Sequence, residues 1–128
     1  MAKFNEVMER ERAKKLSPVV LAFVGDAAYS LYVREGLVLS SDYKTGALQR
    51  LSSARVSAKG QAALFSEIEE KLTEEEREIF LRGRNAKKPT RSKNASVAEY
   101  NVSTGFEAVI GFLYLSGDYQ SIDELLAD

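Results

Sequence analysis

A chain of 128 residues has room for one domain, 1–128, and its formal net charge of −1 gives no overall bias toward polyanions. It contains no cysteine and no histidine, which excludes disulfides, thiol nucleophiles, cysteine zinc sites and the commonest general base and metal ligand. Any catalysis must rest on carboxylates, lysines or hydroxyls, with a hard metal ion held by oxygen as the natural helper.

The N-terminus alternates charges, lacks the apolar centre of a secretory signal, and reads as a polar helix over residues 3–14 with Phe4 and Met8 on one face. Ser17 and Pro18 supply an N-cap and a first-turn proline for a second helix, VVLAFVGDAAYSLYV, which Gly36 should end. That helix is apolar nearly all round and is expected at the centre of the fold, with Asp26 as its only charge. Ser40, Ser41 and Asp42 offer caps for a helix through Tyr43, Leu48 and Leu51. Ser52 or Ser53 punctuates it before a longer stretch to Glu70, whose buried side carries Ala54, Ala58, Ala62, Leu64, Phe65 and Ile68. Thr73 before Glu74, Glu75 and Glu76 is a capping box, opening a helix to about Gly83. Arg84 to Ser96 reads as the longest loop, and Val97 to Tyr100 as a short helix. Ser103 and Thr104 then cap VSTGFEAVIGFLYLSG, whose only charge is Glu107, and a last amphipathic helix covers Ile122 to Leu126. With no convincing period-2 alternation, the expectation is an all-helical bundle of six or seven helices. Neither apolar stretch is long or uncharged enough to span a membrane, so a cytoplasmic protein is expected.

Two features carry chemistry. Asp26 and Glu107 are lone acids in apolar helices, and glycines and alanines flank each of them (Ala22, Gly25 and Ala27; Gly105, Ala108 and Gly111), as close helix approach requires. Packed antiparallel, the two helices would place both carboxylates in one cleft, where a divalent cation relieves their repulsion and assists phosphodiester hydrolysis. The plainer alternative is that each acid caps a helix or pairs with a cation. The second feature is charge segregation. Between Ile79 and Ala98 lie Arg82, Arg84, Lys87, Lys88, Arg91 and Lys93 without an acid, and Lys44, Arg50, Arg55 and Lys59 form a second acid-free set. With Asn85 and Asn94, and no aromatic residue, the 82–93 segment suits phosphate contact on double-stranded nucleic acid better than base stacking. The glycines around both acids form neither a dinucleotide nor a P-loop fingerprint.

LAFVGDAAYSLYVR, residues 21–34, resembles the signature helix of the ribonuclease III family, usually close to LEFLGDAVLEL, and STGFEAVIGFLYL, residues 103–115, resembles its second acidic helix. RGRNAK at 82–87 is similar to the short branch of that family that has no double-stranded-RNA-binding domain, and the likeness spans about residues 17–127. The resemblance implies an all-α endonuclease-domain bundle, acting as a homodimer that hydrolyses double-stranded RNA with magnesium. It implies 5′-phosphate and 3′-hydroxyl ends, with the large-subunit (23S) ribosomal RNA precursor as substrate. Asp26 and Glu107 become the catalytic and metal-holding acids. Arg82, Arg84, Asn85, Lys87, Lys88, Arg91 and Lys93 become the RNA-binding set. The family's longer members carry two further acids one helical turn earlier, where this chain has Ala22 and Thr104, and Ser30 replaces a common glutamate. Fewer protein ligands imply a magnesium ion that keeps more of its water. The alternative function is a structured-RNA-binding or ribosome-assembly factor that does not cut; an acid pair that repels phosphate would bring such a binder no benefit.

Overall fold

The structure, a computed structural model, describes residues 3–88 and 95–127. Among these there are seven α-helices and no strand: α1 Arg10–Lys14, α2 Pro18–Ser40, α3 Thr45–Val56, α4 Ala58–Ile68, α5 Glu74–Asn85, α6 Val97–Leu115 and α7 Tyr119–Leu126. A single 3₁₀ turn, Glu69–Lys71, links α4 to α5. No helix is long and apolar enough to cross a membrane among the described residues.

The centre of the fold is α6 rather than α2. Every residue of α6 from Ser103 to Leu113 is buried except Glu107, which is half-buried, and α2, α4 and α5 all pack most extensively on this helix. Helix α2 packs one face on it through Leu21, Ala22, Gly25, Tyr29 and Val33, while Val20, Phe23, Leu31, Val38 and Leu39 on its other side are exposed. Apolar composition all round does not distinguish a helix enclosed by its own chain from one with an uncovered outer face. Among the described residues only the Ser103–Leu113 span of α6 is enclosed.

Helix boundaries differ from the local signals where capping competes with packing. Residues 3–9 are not helical; the Met8 N–H instead donates to the Leu115 carbonyl at 2.7 Å, and only Arg10–Lys14 coil. Helix α2 runs through Gly36 to Ser40, because Leu37 is buried and holds the last turn against the bundle. The break between α3 and α4 falls at Ser57, which caps α4 by accepting from the Gly60 N–H at 3.0 Å, and not at Ser52 or Ser53. Ser103 and Thr104 cap nothing: their hydroxyls donate back to the Tyr100 carbonyl at 2.8 and 3.0 Å, so α6 is continuous from the Ser96 capping box. The Thr73–Glu76 capping box is present as expected, and its helix reaches Asn85.

Aromatic contacts join the layers. Phe65 stacks on Phe80 with centroids 4.0 Å apart, and Tyr29 meets Phe106 edge-on at 5.0 Å. At one end Arg10 donates to Glu75 at 2.7 Å and to Asp118 at 3.1 Å while lying over the Phe112 ring, fastening α1 to α5 and to the α6–α7 turn. Gly117 takes φ +73° in that turn, a left-handed conformation that suits glycine.

Candidate active site

The α2–α6 contact is made by main chain. A methyl group on Gly25 would overlap the Glu107 carbonyl oxygen, and one on Gly111 would overlap the Leu21 carbonyl oxygen. Leu21 thus lies by Gly111, Gly25 by Glu107 and Tyr29 by Phe106, so the helices run antiparallel. Asp26, next to Gly25, is thereby carried to the level of Glu107. Its side chain is exposed and that of Glu107 half-buried, so the pair opens to solvent on the α2 side.

The carboxyls interact directly. Burial is the main reason the Glu107 carboxyl is pushed up to about 8, and the neighbouring Asp26 adds to the rise through its charge and a hydrogen bond. A donor from Gln61 opposes it: Gln61 Nε2 lies 3.0 Å from Glu107 Oε2 and also donates to the Val56 carbonyl at 3.0 Å. Gln61 sits on the buried stripe of α4 with Phe65 and Ile68. It was not among the residues the sequence pointed to, although a lone amide at i, i+4, i+7 spacing with two core hydrophobes is a signal that could have found it.

Among the described residues no group of three or more histidines, cysteines or acids converges as a metal cluster. Ala22 is buried and offers no ligand, and the Thr104 hydroxyl is committed to the Tyr100 carbonyl. The donor set is therefore two carboxylates, hard oxygen ligands whose crowding a divalent cation relieves by displacing the proton that burial favours. Two carboxylates of this kind would suit a hard divalent cation.

The basic residues are divided. Arg82, Arg84 and Asn85 belong to the last turn of α5 rather than to a loop. The Arg82 guanidinium turns inward and donates to the Lys14 and Leu16 carbonyls at 2.9 and 3.0 Å, closing the end of α1. Lys88 bends back onto the Arg84 and Ala86 carbonyls, and its partial burial lowers its pKa. Arg84, Asn85 and Lys87 are exposed, and the Arg84 Nε–H donates to Asn85 Oδ1 at 3.1 Å. Arg91 and Lys93, with Pro89 and Asn94, lie outside the described residues. A methyl group on Gly83 would come within 2.8 Å of the Gly105 Cα, so the last turn of α5 packs on α6 less than one turn from Glu107.

An all-helical bundle that presents an acid pair where two helices cross backbone to backbone is the architecture of one nuclease class, and the Ribonuclease III domain family matches residues 19–118. The chain belongs to the ribonuclease III family of endoribonucleases. Among the proteins it is similar to are several named Mini-ribonuclease 3. That of Thermoanaerobacter sp. (strain X514) is 41% identical over 122 residues, covering 95% of this chain and 86% of the relative. That of Enterococcus faecalis is 44% identical over 115 residues, covering 88% and 87%. A crystal structure of a Fusobacterium nucleatum protein superposes with a TM-score of 0.80 at 32% identity, covering 93% of each chain.

Proposed function

We propose that this ribonuclease is a magnesium-dependent endoribonuclease specific for double-stranded RNA, with Asp26 and Glu107 as its catalytic and metal-holding acids. The observation that carries the reading is the acid pair itself: the Gly25 contact on the Glu107 backbone sets Asp26 beside a half-buried Glu107, whose carboxyl is pushed up by burial and by Asp26. Such an arrangement opposes phosphate binding unless a cation joins it. Magnesium, when held there, lowers the pKa of water and offsets charge building on the phosphate. The protein's share is to position: Glu107 is fixed by its burial in α6, Asp26 by the glycine contact beside it, and the exposed Arg84 and Lys87 grip the phosphates. Hydrolysis breaks the bond between phosphorus and the 3′ oxygen, leaving a 5′-phosphate and a 3′-hydroxyl.

Asn85, Lys88, Arg91 and Lys93 complete the duplex contact, while Arg82, spent on the end of α1, supports that segment from behind. One chain, 1–128, forms one catalytic unit with one acid pair and cuts one strand. A two-fold homodimer is needed for both strands, and the exposed Val20, Phe23 and Leu31 of α2 supply an apolar face for it. The resemblance of residues 17–127 to the short branch of the ribonuclease III family leads us to take the 23S ribosomal RNA precursor as substrate and a cytoplasmic setting.

The deciding experiment incubates purified protein and its Asp26→Asn variant with a long RNA duplex, a single-stranded control, magnesium and then chelator. Cleavage of the duplex alone, dependent on magnesium and on Asp26, is expected. A protein that retains duplex without cutting it would be a binding module instead.

A further inference from the structure

We infer that Gln61 is a positioning residue for the acid pair: clamped by the Val56 carbonyl, its amide fixes the orientation of Glu107 and thereby sets how tightly the site holds its divalent cation. The inference rests on the proposed reading of Asp26 and Glu107 as ligands of that cation.

Gln61 is 1% exposed, so water does not compete for its amide. A backbone carbonyl is an acceptor only, and the 3.0 Å contact to Val56 therefore determines which end of the amide faces it. Nitrogen must point there, and the second hydrogen of the same NH₂ falls on Glu107 Oε2, also at 3.0 Å. The amide cannot flip to present its oxygen to Glu107 without setting two carbonyl oxygens against each other at Val56. Glu107 thus meets a fixed donor on one oxygen, which favours the carboxylate that a cation held by Glu107 and Asp26 would require.

Two features argue against packing as the role of this side chain. Gln61 Oε1 is buried with no hydrogen-bond partner among the described residues, an unfavourable state that a leucine or methionine of similar size would avoid. The backbone around it is also built to hold it. Gly60 lies so close to the Ala54 carbonyl that any side chain would overlap it, and the Ser57 hydroxyl accepts from the Gly60 N–H at 3.0 Å. This tight corner places the first turn of α4 and the carbonyl of Val56 at once, so clamp and clamped residue arise from one piece of backbone. The arrangement matches how metal-ligating carboxylates are commonly held by an outer hydrogen bond, whose loss typically costs about 10- to 100-fold in metal affinity.

The test is manganese binding to the full chain without RNA, read from the free-ion electron paramagnetic resonance signal, for wild type, Asp26→Asn and Gln61→Met. Wild type should bind, Asp26→Asn should lose binding, and Gln61→Met should bind about 10- to 100-fold more weakly while retaining RNA duplex in chelator as well as wild type. Cleavage by Gln61→Met should recover as magnesium is raised. If Asp26→Asn loses manganese and Gln61→Met does not, the positioning role is overturned while the acid pair stands. If Asp26→Asn binds as wild type does, the reading of the pair fails first. Should Gln61→Met not fold, the side-chain amide resonance of Gln61 in labelled wild type decides. It must move on adding magnesium and stay still in Asp26→Asn, and an unmoved wild-type resonance overturns the inference.

Discussion

Glu107→Gln isolates the electrostatic cost of the site. In the folded, metal-free protein Glu107 keeps its proton to about pH 8, whereas the unfolded chain releases it near the ordinary value of 4.5. Between those values the folded state binds more protons than the unfolded one. Stability therefore falls as pH rises through this window and levels off above it. At about 1.4 kcal/mol per unit the whole shift sets a ceiling of about 5 kcal/mol. Solvent on the Asp26 side and relaxation of the pair bring the expected loss to roughly 1 to 3 kcal/mol. Glutamine keeps the shape, accepts from Gln61 Nε2 through its oxygen and turns its NH₂ toward Asp26, so the variant should lack the pH-dependent loss. In chelator, thermal unfolding of the two proteins should nearly coincide at pH 5. By pH 9 the variant should melt higher by about 3 to 10 °C. Magnesium should raise the midpoint of wild type and leave that of the variant unmoved, and the variant should not cut RNA. A difference in melting that does not change with pH would refute the reasoning, because the cost would then be steric.

Gly25→Ala should destabilise by more than about 3 kcal/mol in urea unfolding, since its methyl meets the Glu107 backbone rather than a side chain able to move. The same change at Gly36, where nothing lies within 4 Å, should stabilise slightly. Neutralising Lys87, Lys88, Arg91 and Lys93 together should flatten the salt dependence of duplex binding without abolishing cleavage at low salt. The log–log slope should fall by roughly 0.9 for each phosphate no longer gripped, a B-DNA value taken as a guide. An unchanged slope would move the grip to Lys44, Arg50, Arg55 and Lys59. If the exposed face of α2 makes the proposed dimer, wild type should scatter light as a dimer at micromolar concentration and Phe23→Glu as a monomer with its fold intact by circular dichroism; a wild-type monomer would refute the dimer.

The bundle was legible because capping is local. Ser17 with Pro18 and Thr73 with Glu76 mark their helices from a few neighbouring residues, and both starts hold in the structure. The acid pair was legible because one charge in an otherwise apolar stretch, Val19–Val33 or Val102–Gly117, has few explanations, and the glycines beside Asp26 and Glu107 announced the close approach. What escaped depends on distant contacts. Ser103 and Thr104 look like caps, yet their hydroxyls bond back to Tyr100 inside one long helix. Arg82 looks like a phosphate ligand until the Lys14 and Leu16 carbonyls come within its reach. Gln61 gains its meaning from Glu107, 46 residues away. A charge pattern shows where cations gather and not which of them face inward.

The crossing of α2 and α6 at Gly25 and Gly111 also bears on how freely such an enzyme can change. Side chains at an interface can be exchanged in compensating pairs, but two touching backbones leave nothing to exchange, so these two positions have no neutral neighbours in sequence space. The spacing of the proposed acid pair is in this way insulated from drift elsewhere. If the segment after α5 holds RNA as proposed, it could vary to retune which RNA is held while the spacing of the two acids stays fixed, and selection for a new substrate would act first there.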